Sequence, residues 1–331
     1  MQIPFKQANL SNYENQLKDA TLMHPWLIRN KMKLFRSIIQ LCVFLIVFGV
    51  IFDLAFVAII VPFVQPTGAP YTTVAGAYDI LLTSLAFGVF PLLALGIILL
   101  TALFIGRTPC AWACPFGFVE DLLSYIRPKK HVKPITRNND NTLRQIRLYI
   151  IFATILISAI VGIRRLQRSS AGIVEAFGPF ANNSFAPIDP AATLFSFLPH
   201  FFANILIFLP PTYEKIWQLG GWPVLLWIRV AVLAIIVLVS IYVPRAWCRY
   251  FCPLGGILGY CGKYGLLTLK RNPIRCPKGE CDDCMKVCPM GVRLLDTGAG
   301  EELEKVRDDN CILCLECVNA CEHDALSISF I

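Results

Sequence analysis

Residues 276–289 read CPKGECDDCMKVCP and residues 311–321 read CILCLECVNAC, which places eight cysteines between Cys276 and Cys321. The second stretch is spaced Cys-x2-Cys-x2-Cys-x3-Cys. The first has the same pattern with two extra residues in its opening gap and a proline after its last cysteine. Three closely spaced thiolates wrap a [4Fe–4S] cube and the fourth comes from a distance, exchanged between the motifs where there are two clusters. The expected ligand sets are therefore Cys276, Cys281, Cys284 and Cys321 for one cluster, and Cys311, Cys314, Cys317 and Cys288 for the other. Structural zinc also uses Cys-x2-Cys pairs, but a four-ligand site has no use for a third evenly spaced cysteine and a Cys-Pro ending. A plant-type [2Fe–2S] centre shares the opening of the first stretch without its ending. Residues 271–331 thus read as an α+β, ferredoxin-like domain whose two clusters form an electron wire.

The rest of the chain is of another kind. It makes the whole 56% hydrophobic and only 16% charged, with apolar runs of membrane-spanning length. The expected fold is mainly α: a four-helix transmembrane bundle built as two helix-pair repeats over residues 37–270, after a cytoplasmic segment, residues 1–36. The first apolar run begins near Ser37 with no small-residue cleavage site after it, so it reads as an anchor. Twelve of the fourteen cysteines have cluster-like spacing, which argues for thiolates in a reducing compartment.

Positive charge orients the spans. Arg29, Lys31, Lys33 and Arg36 precede the first span, Ser37 to Phe63, and hold the N-terminus inside. Residues 64–79 carry one acid and no base and read as an outer loop. The second span, Ile80 to Ile105, leads into a segment rich in arginine and lysine that lies inside. The third, Leu148 to Ile163, is short at 16 residues. Residues 164–221 form the largest outer segment, with an interfacial or re-entrant helix over 191–211 that is broken by Pro199 and His200. The fourth span, Trp222 to Val243, returns the chain to the cytoplasm. Both termini are then cytoplasmic in a multi-pass protein of the bacterial inner membrane. The net charge of +8 sits beside the spans and does not point to nucleic acid.

A repeat follows the second and fourth spans: GRTPCAWACPFG at 106–117 and VPRAWCRYFCPLG at 243–255. Each places a base, Cys-x3-Cys-Pro, a bulky residue and glycine past the inner end of a span. Cys110, Cys114, Cys248 and Cys252 thereby reach one membrane surface, where they are enough to ligate a third iron–sulfur cluster. A redox-active thiol pair and a purely structural motif are the other readings. Cys42 reads as packing, and Cys261 has no partner spacing.

Two transmembrane Cys-x3-Cys-Pro motifs followed by a double [4Fe–4S] domain resemble the NapH/MauN-type membrane ferredoxins, over residues 37–331. The departures are the four-residue gap after Cys276 and Glu322 where a proline commonly follows the last cysteine. The resemblance implies the quinol dehydrogenase component of a larger system. It would draw on the membrane quinone pool and pass electrons toward a periplasmic reductase through a partner subunit, a ferredoxin or cytochrome. Related membrane ferredoxins also resemble maturation factors that reduce a metal or thiol for a respiratory enzyme, and a cluster-bearing sensor is a third reading. No flavin domain is expected. Four histidines and no Cys-x-x-Cys-His leave no haem site, and no glycine-rich phosphate loop supports NAD or ATP.

Quinol oxidation needs a proton acceptor at membrane depth. Asp53 lies about 24 Å from the inner end of the first span and Arg229 about 21 Å from that of the fourth, at about 1.5 Å per residue. Ionisable residues inside a membrane mark function by default. Asp53 is the expected quinol proton acceptor with Arg229 holding its charge, and a structural Asp–Arg pair is the alternative.

Overall fold

Proline and glycine cut the apolar runs into shorter helices than their lengths predict. The computed structural model describes residues 31–48, 60–63, 75–126, 137–167, 171–198, 223–276, 281–292, 304–306 and 308–330. Helix α1 spans Lys31–Phe48. Ile60–Val61 (β1) pairs in parallel with Ala75–Gly76 (β2), so the first apolar run is no longer helical where it reaches Phe63. The β-branched pair and Pro62 favour that extended ending. The second run is also divided, into α2 (Ala77–Ala86) and α3 (Leu92–Ile105). Gly88 takes the left-handed conformation between them (φ 75°) and Pro91 precedes α3, a combination that ends one helix and starts the next.

Helices α2 and α3 form a hairpin. The Tyr78 hydroxyl meets the Thr154 hydroxyl at 2.6 Å, Leu85 reaches Gly162, and Gly88 reaches Leu166. Helix α2 therefore runs parallel to α6 (Arg137–Leu166), and α3 returns. The motif helices α4 (Thr108–Trp112) and α5 (Pro115–Ile126) follow, α5 starting on the proline of the first Cys-Pro, where a missing N–H costs nothing. At 30 residues α6 is much longer than its apolar run, with Asp140 in its first turn and Arg164 and Arg165 in its last, signs that suit the helix dipole.

After α7 (Ala171–Phe177) the chain turns back into the molecule. Ser184 bonds the Ser158 hydroxyl and the Thr154 carbonyl, and Phe185 stacks on Trp247 at 6.1 Å. Asp189 caps α8 (Pro190–Ala192) by accepting from the Ala191 and Ala192 N–H groups, and the chain continues as a π-turn, Thr193–Phe197. Phe195 packs on Phe44 and Phe116. The described part of the expected re-entrant helix is thus buried, while residues 199–211 lie outside the described residues. Helix α9 (Pro223–Tyr242) leads to the second motif, a π-turn at Trp247–Phe251, and to α10 (Pro253–Gly262). The two repeats match beyond their motifs: a long helix (α1, α6), a short inserted helix (α2, α8), a returning helix (α3, α9), then Cys-x3-Cys-Pro and a proline-started helix.

Among the described residues one helix, Asn139–Leu166, is long and apolar enough to cross a membrane, and Ala77–Ala86, Leu92–Ile105 and Trp227–Tyr242 are shorter apolar helices. Large apolar side chains cover their outward faces, among them Leu92, Leu93, Leu100, Phe152 and Trp227. Most of residues 64–79 lies outside the described residues, but its described end, Ala77 to Asp79, is buried rather than exposed. The C-terminal part is a three-stranded antiparallel sheet with β3 (Leu267–Arg271) between β4 (Glu304–Val306) and β5 (Leu326–Phe330). Leu269 faces Val306 on one side and Ile328 on the other. The short helices α11 (Asp283–Lys286) and α12 (Glu316–Asn319) lie within the two cysteine motifs.

Candidate iron–sulfur centres

The cysteines gather in fours. Cys276, Cys281, Cys284 and Cys321 line one cavity with Arg271, Ala325 and Leu326. Cys288, Cys311, Cys314 and Cys317 line a second with Leu269, Met290 and Val292. Cys110, Cys114, Cys248 and Cys252 line a third, between the repeats, with Phe63, Arg107 and Trp247. Sequence spacing alone predicts the first two groupings. The third needs the repeats to face each other, which the crossed packing of α5 on α9 and of α10 on α3 achieves.

The donor sets suit iron–sulfur clusters. Among the described residues no three Cys, His, Asp or Glu side chains converge closely enough to hold a single metal ion, whereas each group of four surrounds a space. Backbone N–H groups point at the sulfurs: Gly255 to Cys252 Sγ, Val292 to Cys288 Sγ and Ala325 to Cys321 Sγ. Leu313 and Leu315 adopt positive φ on either side of Cys314, turning the loop round its cavity at a steric cost that a wrapped cluster repays. Burial pushes the free thiols of Cys114 and Cys311 up to about 12 and that of Cys314 up to about 11. Redox-active thiols are accessible and low in pKa. Cys110, Cys114, Cys248 and Cys252 are instead buried, between 4% and 6% exposed, and thiols so placed give up their protons to a metal centre that supplies positive charge.

Buried arginines join the two halves of the molecule. Arg107 donates to the Asp309 carbonyl at 2.9 Å and to Asn310 Oδ1 at 3.1 Å. Arg147 bonds Asn310 Oδ1 and pairs with the Asp309 carboxylate. Arg36 pairs with Glu316 on α12, and Trp112 Nε1 donates to the Leu313 carbonyl. Arg249 pairs with Asp140, which also accepts from the Tyr250 hydroxyl at 2.6 Å and pairs with Arg144. A Cβ on Gly291 (φ 62°) would overlap the Arg249 guanidinium. The second cavity lies beside the third: Trp112, between Cys110 and Cys114, meets the Leu313 carbonyl next to Cys314, and Arg107 lines both the third cavity and an interface cavity that includes Cys311. Helices α11 and α12, which carry Cys284 of the first set and Cys317 of the second, pack together. The order is third, second, first.

Gly259 on α10 permits this docking, because a Cβ there would overlap the Asp309 carbonyl oxygen. Gly259→Ala is expected to speed amide exchange across residues 308–314 by about tenfold or more, the effect of about 1.4 kcal/mol of lost docking. Unchanged exchange would show that the contact carries no such energy.

The family described as a 4Fe-4S binding domain matches residues 87–134 and again residues 225–272. That described as a 4Fe-4S dicluster domain matches residues 268–322. The ferredoxin-type protein NapH of Escherichia coli is 23% identical over 261 residues, 75% of this chain and 72% of its own. The methylamine utilization ferredoxin-type protein MauN of Methylobacillus flagellatus is 25% identical over 188 residues, 56% of this chain and 50% of its own. This chain is related to the NapH/MauN-type ferredoxin proteins. An uncharacterized protein of Methanocaldococcus jannaschii is 25% identical over 234 residues, 71% of this chain and 76% of its own. No solved structure matches the chain.

The ferredoxin-type protein is thus an iron–sulfur electron-transfer protein, and its structure adds residues that sequence reasoning passes over. Asp53 lies outside the described residues. Arg229 lies within electrostatic reach of Asp189, and Asp189 within reach of Asp79. Asp79 and Asp189 are buried, at 7% and 2% exposed, and Asp79 accepts from Asn183 at 2.7 Å. Asp79 and Asp189 occupy related places at the starts of the inserted helices α2 and α8. Beside Asp79, Tyr78 packs edge-on against Phe185, which stacks on Trp247 at the wall of the third cavity. Cys42 is exposed on α1 and Cys261 is half-buried on α10.

Proposed function

We propose that the protein oxidises quinol in the bacterial cytoplasmic membrane and passes the electrons through three [4Fe–4S] clusters, as the dehydrogenase component of a system with a periplasmic or membrane partner subunit. The observation that carries this is the adjacency of the four-cysteine cavity between the repeats to the second ferredoxin cavity. It puts an electron acceptor at the membrane end of the wire. Clusters held by these twelve cysteines supply one-electron transfer. The protein residues do the rest: the repeats bury the site from water, the arginines dock the C-terminal domain, and acids near α2 and α8 take the two quinol protons.

The proposed organisation is a cytoplasmic segment 1–36, a four-span membrane domain 37–270 and a cytoplasmic domain 271–331, with both termini inside. Asp53 is a proton acceptor proposed from sequence. Asp79 and Asp189 join it, with Arg229 holding the charge of Asp189. Asp79 follows Tyr78, from which Phe185 leads to Trp247 at the third cavity, and this contact chain supports a quinone site close above that cavity.

The test is iron and acid-labile sulfide per chain after anaerobic purification, with EPR before and after addition of a quinol. About twelve irons per chain and signals that appear within catalytic turnover times are expected. About eight irons would confine clusters to the C-terminal domain. Full iron with no reduction by quinol, in the presence of the native partner, would favour a maturation factor instead.

A further inference from the structure

Each repeat carries an arginine three residues before its first cysteine, Arg107 before Cys110 and Arg245 before Cys248. The fold crosses them. Arg107 Nη2 donates to the Cys248 carbonyl at 2.7 Å, and Arg245 Nη1 donates to the Cys110 carbonyl at 3.1 Å. Both are fully buried, at 2% and 1% exposed. Each repeat thus clamps the other round the third cavity.

Their charges are balanced differently. Arg245 gives Nε and Nη2 to the Asp121 carboxylate at 2.7 and 2.5 Å. Arg107 gives its remaining hydrogen bonds to neutral oxygens, the Asp309 carbonyl and Asn310 Oδ1, and its Nε is buried without a hydrogen-bond partner among the described residues. The repeat explains the difference. Asp121 lies seven residues after Cys114, and the position seven after Cys252 is Gly259. Where the first repeat supplies a carboxylate, the second leaves the space that the Asp309 carbonyl fills. Both carboxylates on that loop pair with other bases, Asp309 with Arg147 and Arg144 and Asp308 with Arg144.

We propose that Arg107 is the residue that sets the reduction potential at the junction of the membrane site and the ferredoxin domain, and that Arg245, neutralised by Asp121, is a structural clamp. Arg107 lines the third cavity and also the interface cavity that includes Cys311. Reduction adds one negative charge to a cluster, and a buried guanidinium without a carboxylate favours that form strongly in a poorly polarisable interior. The same side chain bonds the Cys248 backbone to the turn before Cys311, so it holds the two sites in register while biasing both toward the reduced state. The inference rests on the third cluster proposed above.

The experiment uses full-length protein in detergent, with iron and sulfide content and EPR-monitored redox titration. The third-cluster signal is the one that a Cys248→Ser variant lacks. Arg107→Gln removes the charge and keeps donors. Asn310→Asp keeps the side-chain shape and places a carboxylate against Arg107. Each is expected to keep about twelve irons and to lower the reduced-to-oxidised ratio of the third-cluster signal about tenfold at a fixed potential, a shift of about 59 mV for one electron. Arg107→Lys is expected to restore most of the ratio. Should Arg107→Gln lose iron, Asn310→Asp decides alone. Full iron with an unchanged ratio overturns the inference and leaves the three-cluster reading standing. About eight irons in the unaltered protein overturns both.

Discussion

Replacing Cys248 and Cys252 by serine should lower the iron content from about twelve to about eight per chain and abolish reduction of the remaining clusters by quinol. A strong low-potential reductant in solution should still reduce them, because the eight C-terminal cysteines are untouched. The argument is geometric. Cys248 and Cys252 line a cavity with Cys110 and Cys114, and Arg107 and Trp112 bridge this cavity to the loop before and after Cys311. On the proposed route, electrons from the membrane reach the ferredoxin sites through the third site. If the four thiols instead form a redox-active pair, iron and sulfide will not change. If they are structural alone, the quinol response will persist in whatever protein folds. Measuring metal content beside the two reductants separates all three readings in one preparation.

Sequence shows the cysteine groups because cluster-binding thiolates sit close in sequence, so their spacing is local. The cavities follow that spacing for the eight C-terminal cysteines. It shows the two-fold repeat of Cys-x3-Cys-Pro for the same reason. The division of the second apolar run is less visible: residues 80–105 are almost uniformly apolar, and a uniform run has no period from which a break can be read. Gly88 and Pro91 were the available signal. The inserted helices were hidden by their flanks, since Asp79 and Asp189 look like polar loop residues until the structure buries them. The positive-inside rule treats the arginines as orientation signals and is blind to whether a base meets lipid or a buried carbonyl. Arg107, Arg245 and Asp121 come together only when one repeat packs on the other.

Asp121→Ala should destabilise the protein by about 3–5 kcal/mol, the cost of removing one partner from a buried ion pair. Asp121 holds two buried cations: Arg245 through two hydrogen bonds and Arg36 at 3.1 Å, with all three side chains at most 5% exposed. Gln40 adds a bond at 3.2 Å. Burial alone would push the Asp121 carboxyl up, and the two guanidiniums outweigh it and hold the group below the ordinary carboxylate range. Without Asp121 both cations stay buried, and among the described residues Glu316 on the ferredoxin helix is the acid left to Arg36. The loss should appear in denaturant titration in detergent, followed by cluster absorbance, as a lower midpoint with an unchanged slope. Asp121→Ala combined with Arg245→Leu should recover part of it, because an apolar side chain leaves one fewer charge uncompensated. Equal instability in the single and double variants would mean that Asp121 acts through α5 packing rather than charge. Iron content separates this site from Arg107. Loss of Asp121 weakens the framework that holds all four cysteines, so iron should leave the third site first on heating, whereas Arg107→Gln should change the potential with the iron still bound.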